Sequence, residues 1–388
     1  MKLLKKRITV FLTVCLIVFS LDITASASVN VSAQSAVLMC AENGEILFSR
    51  NADKRLSMAS TTKIMTSLLA LEAAMPDAEI TVTKEMVSVE GTSMGLMPGD
   101  SVSLRELVYG MLLQSGNDAA NSVAYFLSGN PEDFAKLMNK RAEEIGMKNS
   151  NFVTASGLDS ENHYSTAYDM ALLACESIKN PEFVSICSQK TARLTYGNPP
   201  YQRTLTNHNK LLWKYKDAIG IKTGFTKKSG RCLVSAAERD GVTLVAVTLN
   251  APDDWNDHIS MFEYGFSKLK GVELSCDLSN ISIDVCGGVK STASVELYGN
   301  ARWLDGEKVY VRLLIKPVNY APLKKGDIVG KAVFSDADNC VIDEIPICVS
   351  EDVAFKKSAV ISEHAEEDLF SKIISSIKEL FRGEIIGR

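Results

Sequence analysis

The sequence is short of the residues that build metal sites. Its 388 residues include four histidines, His163, His208, His258 and His364, and none falls in an HExxH arrangement. Cysteine is present nine times, yet no CxxC pair occurs, so neither a zinc site nor any other metal is expected. Long runs of Lys or Arg are also missing: 42 basic residues face 47 acidic ones, for a net charge of −5. That balance lacks the basic footprint that a nucleic-acid partner requires, so no nucleic acid is expected. Low hydrophobicity is absent too. With 46% hydrophobic and 23% charged residues, disorder over most of the chain is excluded. The length leaves room for two domains, or for one large domain with appendages.

What is present begins with an address. Lys2, Lys5, Lys6 and Arg7 form a basic head, Ile8 to Leu21 an apolar core, and Ala25-Ser26-Ala27 a small-x-small cleavage pattern. Residues 1–27 therefore read as a secretory signal peptide; as an uncleaved anchor, the core is too short for a comfortable membrane span. Val14 before Cys15 argues against a lipoprotein signal. The chain is expected to be exported and to work outside the cytoplasm. Its other cysteines are irregularly spaced, which gives no disulfide framework. Cys40, Cys175, Cys187 and Cys348 sit among apolar neighbours and read as small buried hydrophobes; whether any cysteines pair stays open.

The region 28–270 is mixed in character. Val37-Leu38-Met39 and Glu45 to Phe48 flank Glu42-Asn43-Gly44, the pattern of a β-hairpin. Thr61 to Ala74 has Ile64, Leu68, Leu69 and Leu71 on a helical period, with Ser60 placed to cap it. Further helices are expected over Leu104–Leu113, Asp118–Leu127, Pro131–Ile145 and Thr166–Ile178, and strands over Ala218–Ile221, Cys232–Ala236 and Val242–Leu249. Residues 271–360 carry short partly alternating runs divided by Gly and Asp/Asn turns, which suggests a small all-β sandwich. In 361–388, Leu369, Phe370, Ile373, Ile374, Ile377, Leu380 and Phe381 make one apolar helical face. Such a helix either lies in a membrane interface or docks on its own domain, and the pattern does not choose.

Four short patterns compete as a catalytic signature. Gly91-Thr92-Ser93-Met94-Gly95 is a literal GxSxG, but a nucleophile elbow needs a strand before it and a helix after it. Here a turn, Leu96 to Asp100, follows, so the segment reads as a loop. Ser-x-x-Lys occurs at Ser60–Lys63, Ser267–Lys270 and Ser375–Lys378, and Ser-Gly-Asn at Ser115–Asn117 and Ser128–Asn130; Lys222-Thr223-Gly224 occurs once. Only Ser60–Lys63 starts an apolar helix, which brings its hydroxyl and amine together one turn apart. A serine needs an adjacent base to act as a nucleophile. Lysine serves as that base only when neutral, and burial beside a second cation such as Lys222 favours that form. Ser128-Gly129-Asn130 precedes Pro131 and reads as a helix stop. One ordered set remains: Ser60/Lys63, Ser115/Asn117 and Lys222/Thr223/Gly224.

With these motifs, the sequence resembles the D-alanyl-D-alanine carboxypeptidases, the low-molecular-mass penicillin-binding proteins, over nearly its whole exported part. Gln114 to Ala120, Gly157-Leu158-Asp159, His163 to Ala167, Gly220 to Gly224 and Ala321-Pro322-Leu323 with Val329-Gly330 carry the likeness. The resemblance implies an α/β catalytic domain of the β-lactamase/transpeptidase-like type, an antiparallel sheet with helices on both sides plus a helical subdomain. A small β-sandwich and a C-terminal amphipathic helix on the outer face of the cytoplasmic membrane would follow. It implies no cofactor. The substrate would be a peptidoglycan stem peptide ending in D-Ala–D-Ala, with β-lactams as covalent inhibitors. By position, Ser60 would be the nucleophile and Lys63 its base, with Ser115 relaying a proton to the departing D-alanine. Asn117 would hold Lys63 and the substrate amide, and Lys222 and Thr223 the terminal carboxylate. Gly224 would let the strand approach closely, and the backbone N–H groups of Ser60 and Phe225 would bind the oxyanion.

Two departures stand out. Phe225 occupies a position where many relatives have His or Tyr. Where some relatives carry a carboxylate-binding Arg, Ala251-Pro252-Asp253-Asp254-Trp255 offers none, leaving Arg231 or Arg203 as substitutes. A D,D-endopeptidase acting on cross-linked peptidoglycan remains an alternative. A class A β-lactamase would need a Glu-x-x-Leu-Asn, which does not occur, and the complete motif set argues against an inactive wall-binding protein.

Overall fold

The computed structural model of the protein describes residues 29–356 and 371–375. The expected leader and most of the expected terminal helix lie outside the described residues; 371–375 are helical, with Ile373 and Ile374 exposed. Two compact units divide between Lys270 and Gly271.

In the first unit the hairpin of β1 (Ser35–Cys40) and β2 (Ile46–Arg50) forms as its Asn-Gly turn dictates. A single 3-10 turn, Ala59–Thr62, then runs into α1 (Lys63–Glu72). This corrects the expectation that Ser60 caps the helix. Ser60 lies inside the 3-10 turn and makes no cap bond, because its hydroxyl faces the Lys63 amine instead. After the ribbon of β3 (Glu79–Thr81) and β4 (Ser101–Ser103), with the short helix α2 (Lys84–Val87) between them, come α3 (Leu104–Leu112) and α4 (Asn117–Ser128). A reciprocal capping box between Ser103 and Glu106 starts α3. Gly129, with φ of +76°, ends α4 in the left-handed region. Asn130 caps α5 (Pro131–Ile145) with Pro131 in its first turn, and Thr166 caps α6 (Ala167–Ile178). The short helix α7 (Pro181–Cys187), the hairpin of β5 (Thr191–Gly197) and β6 (Pro200–Thr206), and α8 (Leu211–Lys214) follow.

The chain then returns to the main sheet through β7 (Ala218–Thr226), β8 (Gly230–Arg239) and β9 (Val242–Leu249). The sheet is antiparallel in the order β2-β1-β9-β8-β7. Helix α9 (Asp254–Lys268) packs on β1, β8 and β9, and α6 packs on the same strands with Val37, Met39, Val245 and Val247 in the shared core of the helical subdomain. Strand β9 is buried along nearly its whole length, which explains why it reads as a continuous apolar run rather than an alternation. At the sheet's edge β7 lies against the 3-10 turn. That one packing contact assembles the site.

The second unit is all-β. Six strands are ordered β14-β16-β17-β12-β11-β15 (Tyr310–Ile315, Ile328–Ser335, Val341–Val349, Thr292–Leu297, Ser282–Cys286 and Asn319–Tyr320). A ribbon pairs β10 (Gly271–Leu274) with β13 (Ala301–Leu304). All eight described cysteines are free thiols; Cys40, Cys187, Cys232 and Cys348 are buried and Cys175 is half-buried.

Candidate active site

Three elements distant in sequence converge on one cleft: the 3-10 turn and start of α1, the turn before α4, and β7. Lys63 is fully buried. Its Nζ lies 2.9 Å from Ser60 Oγ, 2.7 Å from Asn117 Oδ1 and 2.6 Å from the Ser156 carbonyl oxygen. The Asn117 amide is oriented by its own Nδ2, which donates to the Glu90 carbonyl at 2.6 Å. Burial, and next the Lys222 ammonium, hold Lys63 well below the ordinary lysine range, opposed by the Asp118 charge. Lys222 is buried as well, its Nζ donating to the Thr223 carbonyl at 2.9 Å, and burial pushes its pKa down to about 7.

The arrangement fits a neutral Lys63. The Asn117 Oδ1 and the Ser156 carbonyl can only accept, so they take its two N–H groups. The lone pair is then left facing the Ser60 hydroxyl.

A cavity of about 310 Å³ opens over these groups, and its walls include Ser60, Ser115, Thr223, Gly224 and Phe225. Lys63, Asn117 and Lys222 lie behind those walls, and Phe225 is exposed. A Cβ on Gly224 would meet the Met58 carbonyl oxygen at 2.9 Å and the Ser60 and Thr61 nitrogens at 3.1 Å. Only glycine lets β7 run this close to the 3-10 turn. Backbone strain surrounds the nucleophile candidate: Ala59 has φ of +48° and Ser115 of +60°, conformations L side chains avoid.

Several supporting residues were not evident in the sequence. The buried Asp118 carboxylate accepts from Ser93 Oγ (2.5 Å) and the Met94, Gly95 and Leu96 amides (2.9, 3.1 and 3.0 Å). It thereby folds the Gly91–Gly95 segment over the start of α4, as the loop expected from its failed elbow context. His163 Nδ1 accepts from the Val153 amide at 2.9 Å, so its Nε2–H donates to Thr62 Oγ1 at 2.8 Å. Burial pushes its pKa down to about 4, which keeps it neutral and a clamp on the turn that carries Ser60. Of the two arginines raised as substitutes, Arg203 stacks on Tyr196 and Tyr201 and donates to the Gly95 carbonyl at 2.6 Å, a structural post. Arg231 lines the cleft.

The family model for D-alanyl-D-alanine carboxypeptidase matches residues 22–253. The chain belongs to the D-alanyl-D-alanine carboxypeptidase family. It is 32% identical over 345 residues to the D-alanyl-D-alanine carboxypeptidase DacF of Bacillus subtilis, covering 85% of this chain and 87% of that protein. To DacC of Escherichia coli it is 33% identical over 346 residues, with 84% and 85% covered. Among solved structures, penicillin binding protein 5 from Haemophilus influenzae matches with a TM-score of 0.59 and 29% identity, over 84% of this chain and 98% of that one. The carboxypeptidase DacD from Francisella tularensis gives 0.59 and 28%, over 86% and 96%. Membership accounts for both the antiparallel sheet with its helices and the C-terminal all-β unit.

Proposed function

We propose that this chain is a serine D-alanyl-D-alanine carboxypeptidase that removes the terminal D-alanine from peptidoglycan stem peptides. The observation that carries the reading is the contact of Ser60 Oγ with a buried, depressed Lys63 amine at 2.9 Å, inside a family member's cleft. Ser60 attacks the carbonyl of the D-Ala–D-Ala bond while Lys63 takes its proton. Backbone N–H groups of Ser60 and Phe225 receive the developing oxyanion; losing one such donor typically costs about 10²–10³ in rate. Ser115, held at the cleft wall, passes a proton to the departing D-alanine. Lys222 and Thr223 attract the substrate's terminal carboxylate, and Asn117 fixes Lys63 and the substrate amide. Water then releases the acyl group from Ser60. A β-lactam enters the same path and stalls at the acyl stage.

The proposal includes export, on the strength of the basic head, apolar core and cleavage pattern of residues 1–27. It also includes attachment to the outer face of the cytoplasmic membrane through the amphipathic pattern of 361–388. Among the described residues no helix is long and apolar enough to cross a membrane.

The test is direct. Purified protein is expected to release D-alanine from a pentapeptide and to form a covalent adduct with a fluorescent penicillin. Ser60→Ala should abolish both; an adduct that persists in this variant would place the nucleophile elsewhere.

A further inference from the structure

The cleft carries more positive charge than the motifs supply. Lys210 and Arg231 both line it, while Asp254 is the acidic residue in the wall. Of the two, Arg231 is the one that the fold builds into place. It sits on β8 directly opposite Phe225 of β7, and directly opposed side chains of an antiparallel pair leave the same face. Thr223, two residues along β7, shares that face, so Thr223, Phe225 and Arg231 converge on the same cleft.

The guanidinium is oriented from two further sides. Its Nη2 donates to Asp254 Oδ1 at 2.6 Å, and its carbon lies 5.4 Å from the Trp255 ring centre. Asp254 is itself fixed at the start of α9, where Oδ1 also accepts the Trp255 amide at 2.9 Å. Among the described residues only Nη2 has a partner; Nε is buried and unpartnered, while 42% of the side chain remains exposed. An arginine with unspent donors, aimed beside Thr223, presents the planar fork that a carboxylate matches. The stretch Ala251–Trp255, which holds no arginine, instead supplies the two side chains that aim one.

We propose that Arg231 is a specificity-determining residue that receives the terminal carboxylate of the D-Ala–D-Ala substrate, with Asp254 and Trp255 as its positioning residues. This rests on the carboxypeptidase reading and assigns a task that the motif residues do not complete. It also predicts that the enzyme rejects peptides whose last carboxyl is masked.

The experiment compares two blocked tripeptides, one ending in D-Ala–D-Ala and the other in its C-terminal carboxamide, on the full chain. Wild type should favour the acid. Arg231→Gln should lower kcat/KM for the acid by about 10- to 100-fold, the loss of one or two charge-assisted hydrogen bonds, and leave the amide within about 3-fold. Arg231→Lys, which keeps charge but loses the fork, should fall between. Equal losses on both peptides would make Arg231 a structural residue and overturn the proposal. So would an unchanged acid-to-amide ratio, or a ratio that collapses in Lys210→Ala instead. In each of these cases an active wild type leaves the carboxypeptidase reading standing. A wild type that cleaves neither peptide sinks that reading and this proposal together.

Discussion

Lys63 and Lys222 must hold opposite protonation states for the mechanism to run. Lys63 has to be neutral to accept the Ser60 proton, and Lys222 has to be charged to draw a carboxylate. Burial lowers both, and the Lys222 charge lowers Lys63 further. The sign of each limb follows. As pH falls, Lys63 gains a proton and the base is lost. As pH rises through about 7, Lys222 discharges and carboxylate attraction fades. In the substrate-free enzyme, kcat/KM should therefore be bell-shaped with its alkaline limb near neutrality. Lys222→Arg, which does not titrate there, should move that limb up by at least about 2 pH units while lowering the plateau about 10-fold. An alkaline limb still near 7 in the variant would assign it to a group other than Lys222. The sequence made the titrating pair legible, because Ser-x-x-Lys at a helix start and Lys-Thr-Gly are local patterns. It could not reveal the Ser156 carbonyl, a backbone acceptor with no residue signature. The role of Asp118 was not readable either, because its loop partners come from an earlier segment that no periodicity links to it.

At the scale of elements, everything depends on β7 lying against the 3-10 turn, and two glycines test that contact in different ways. A Cβ at Gly224 would press on the Met58, Ser60 and Thr61 backbone at 2.9–3.1 Å. A few tenths of an ångström of retreat would relieve it, but retreat separates the two proposed oxyanion donors. Gly224→Ala should thus slow acylation about 10- to 100-fold, somewhat less than losing a donor outright, and lower the melting temperature less than Gly157→Ala does. Gly157 is different: its φ is +85° and a Cβ there would overlap the Ala59 carbonyl. Gly157→Ala should destabilise the fold by more than about 2 kcal/mol, visible in thermal unfolding. If the two variants exchanged phenotypes, the close approach of β7 would not be what forms the site. The helices themselves were readable from their apolar stretches, Pro131–Ile145 to the residue. The pairing of β1 with β9 was not, since it joins the two ends of the first unit and depends on tertiary packing. The 3-10 turn was missed for a related reason, because a serine before a helix reads as a cap until a buried amine claims its hydroxyl.

For the whole molecule, the question is how a hydrolase with the proposed export would stay near its substrate. The apolar face expected from the sequence pattern of 361–388 would offer seven large side chains, from Leu369 to Phe381. At about 1.5–3 kcal/mol for each one fully buried, an interface could gain of order 10 kcal/mol before ordering costs, enough for stable attachment. Ile373 and Ile374 are exposed on the helical residues 371–375. The proposed catalytic residues all belong to the unit ending at Lys270, so anchoring and chemistry should separate cleanly. Deleting 363–388 is expected to move the protein from the membrane pellet to the soluble fraction while penicillin labelling of Ser60 keeps its rate within about 2-fold. Replacing Ile373 and Ile374 with Asp should release it partly, because two carboxylates at that face oppose burial. A deleted protein that still sediments would shift attachment to an uncleaved Ile8–Leu21 segment, which sequencing the mature N-terminus would then reveal. A deleted protein that is soluble but no longer labelled would show instead that the tail supports the fold, the docked alternative to a membrane anchor.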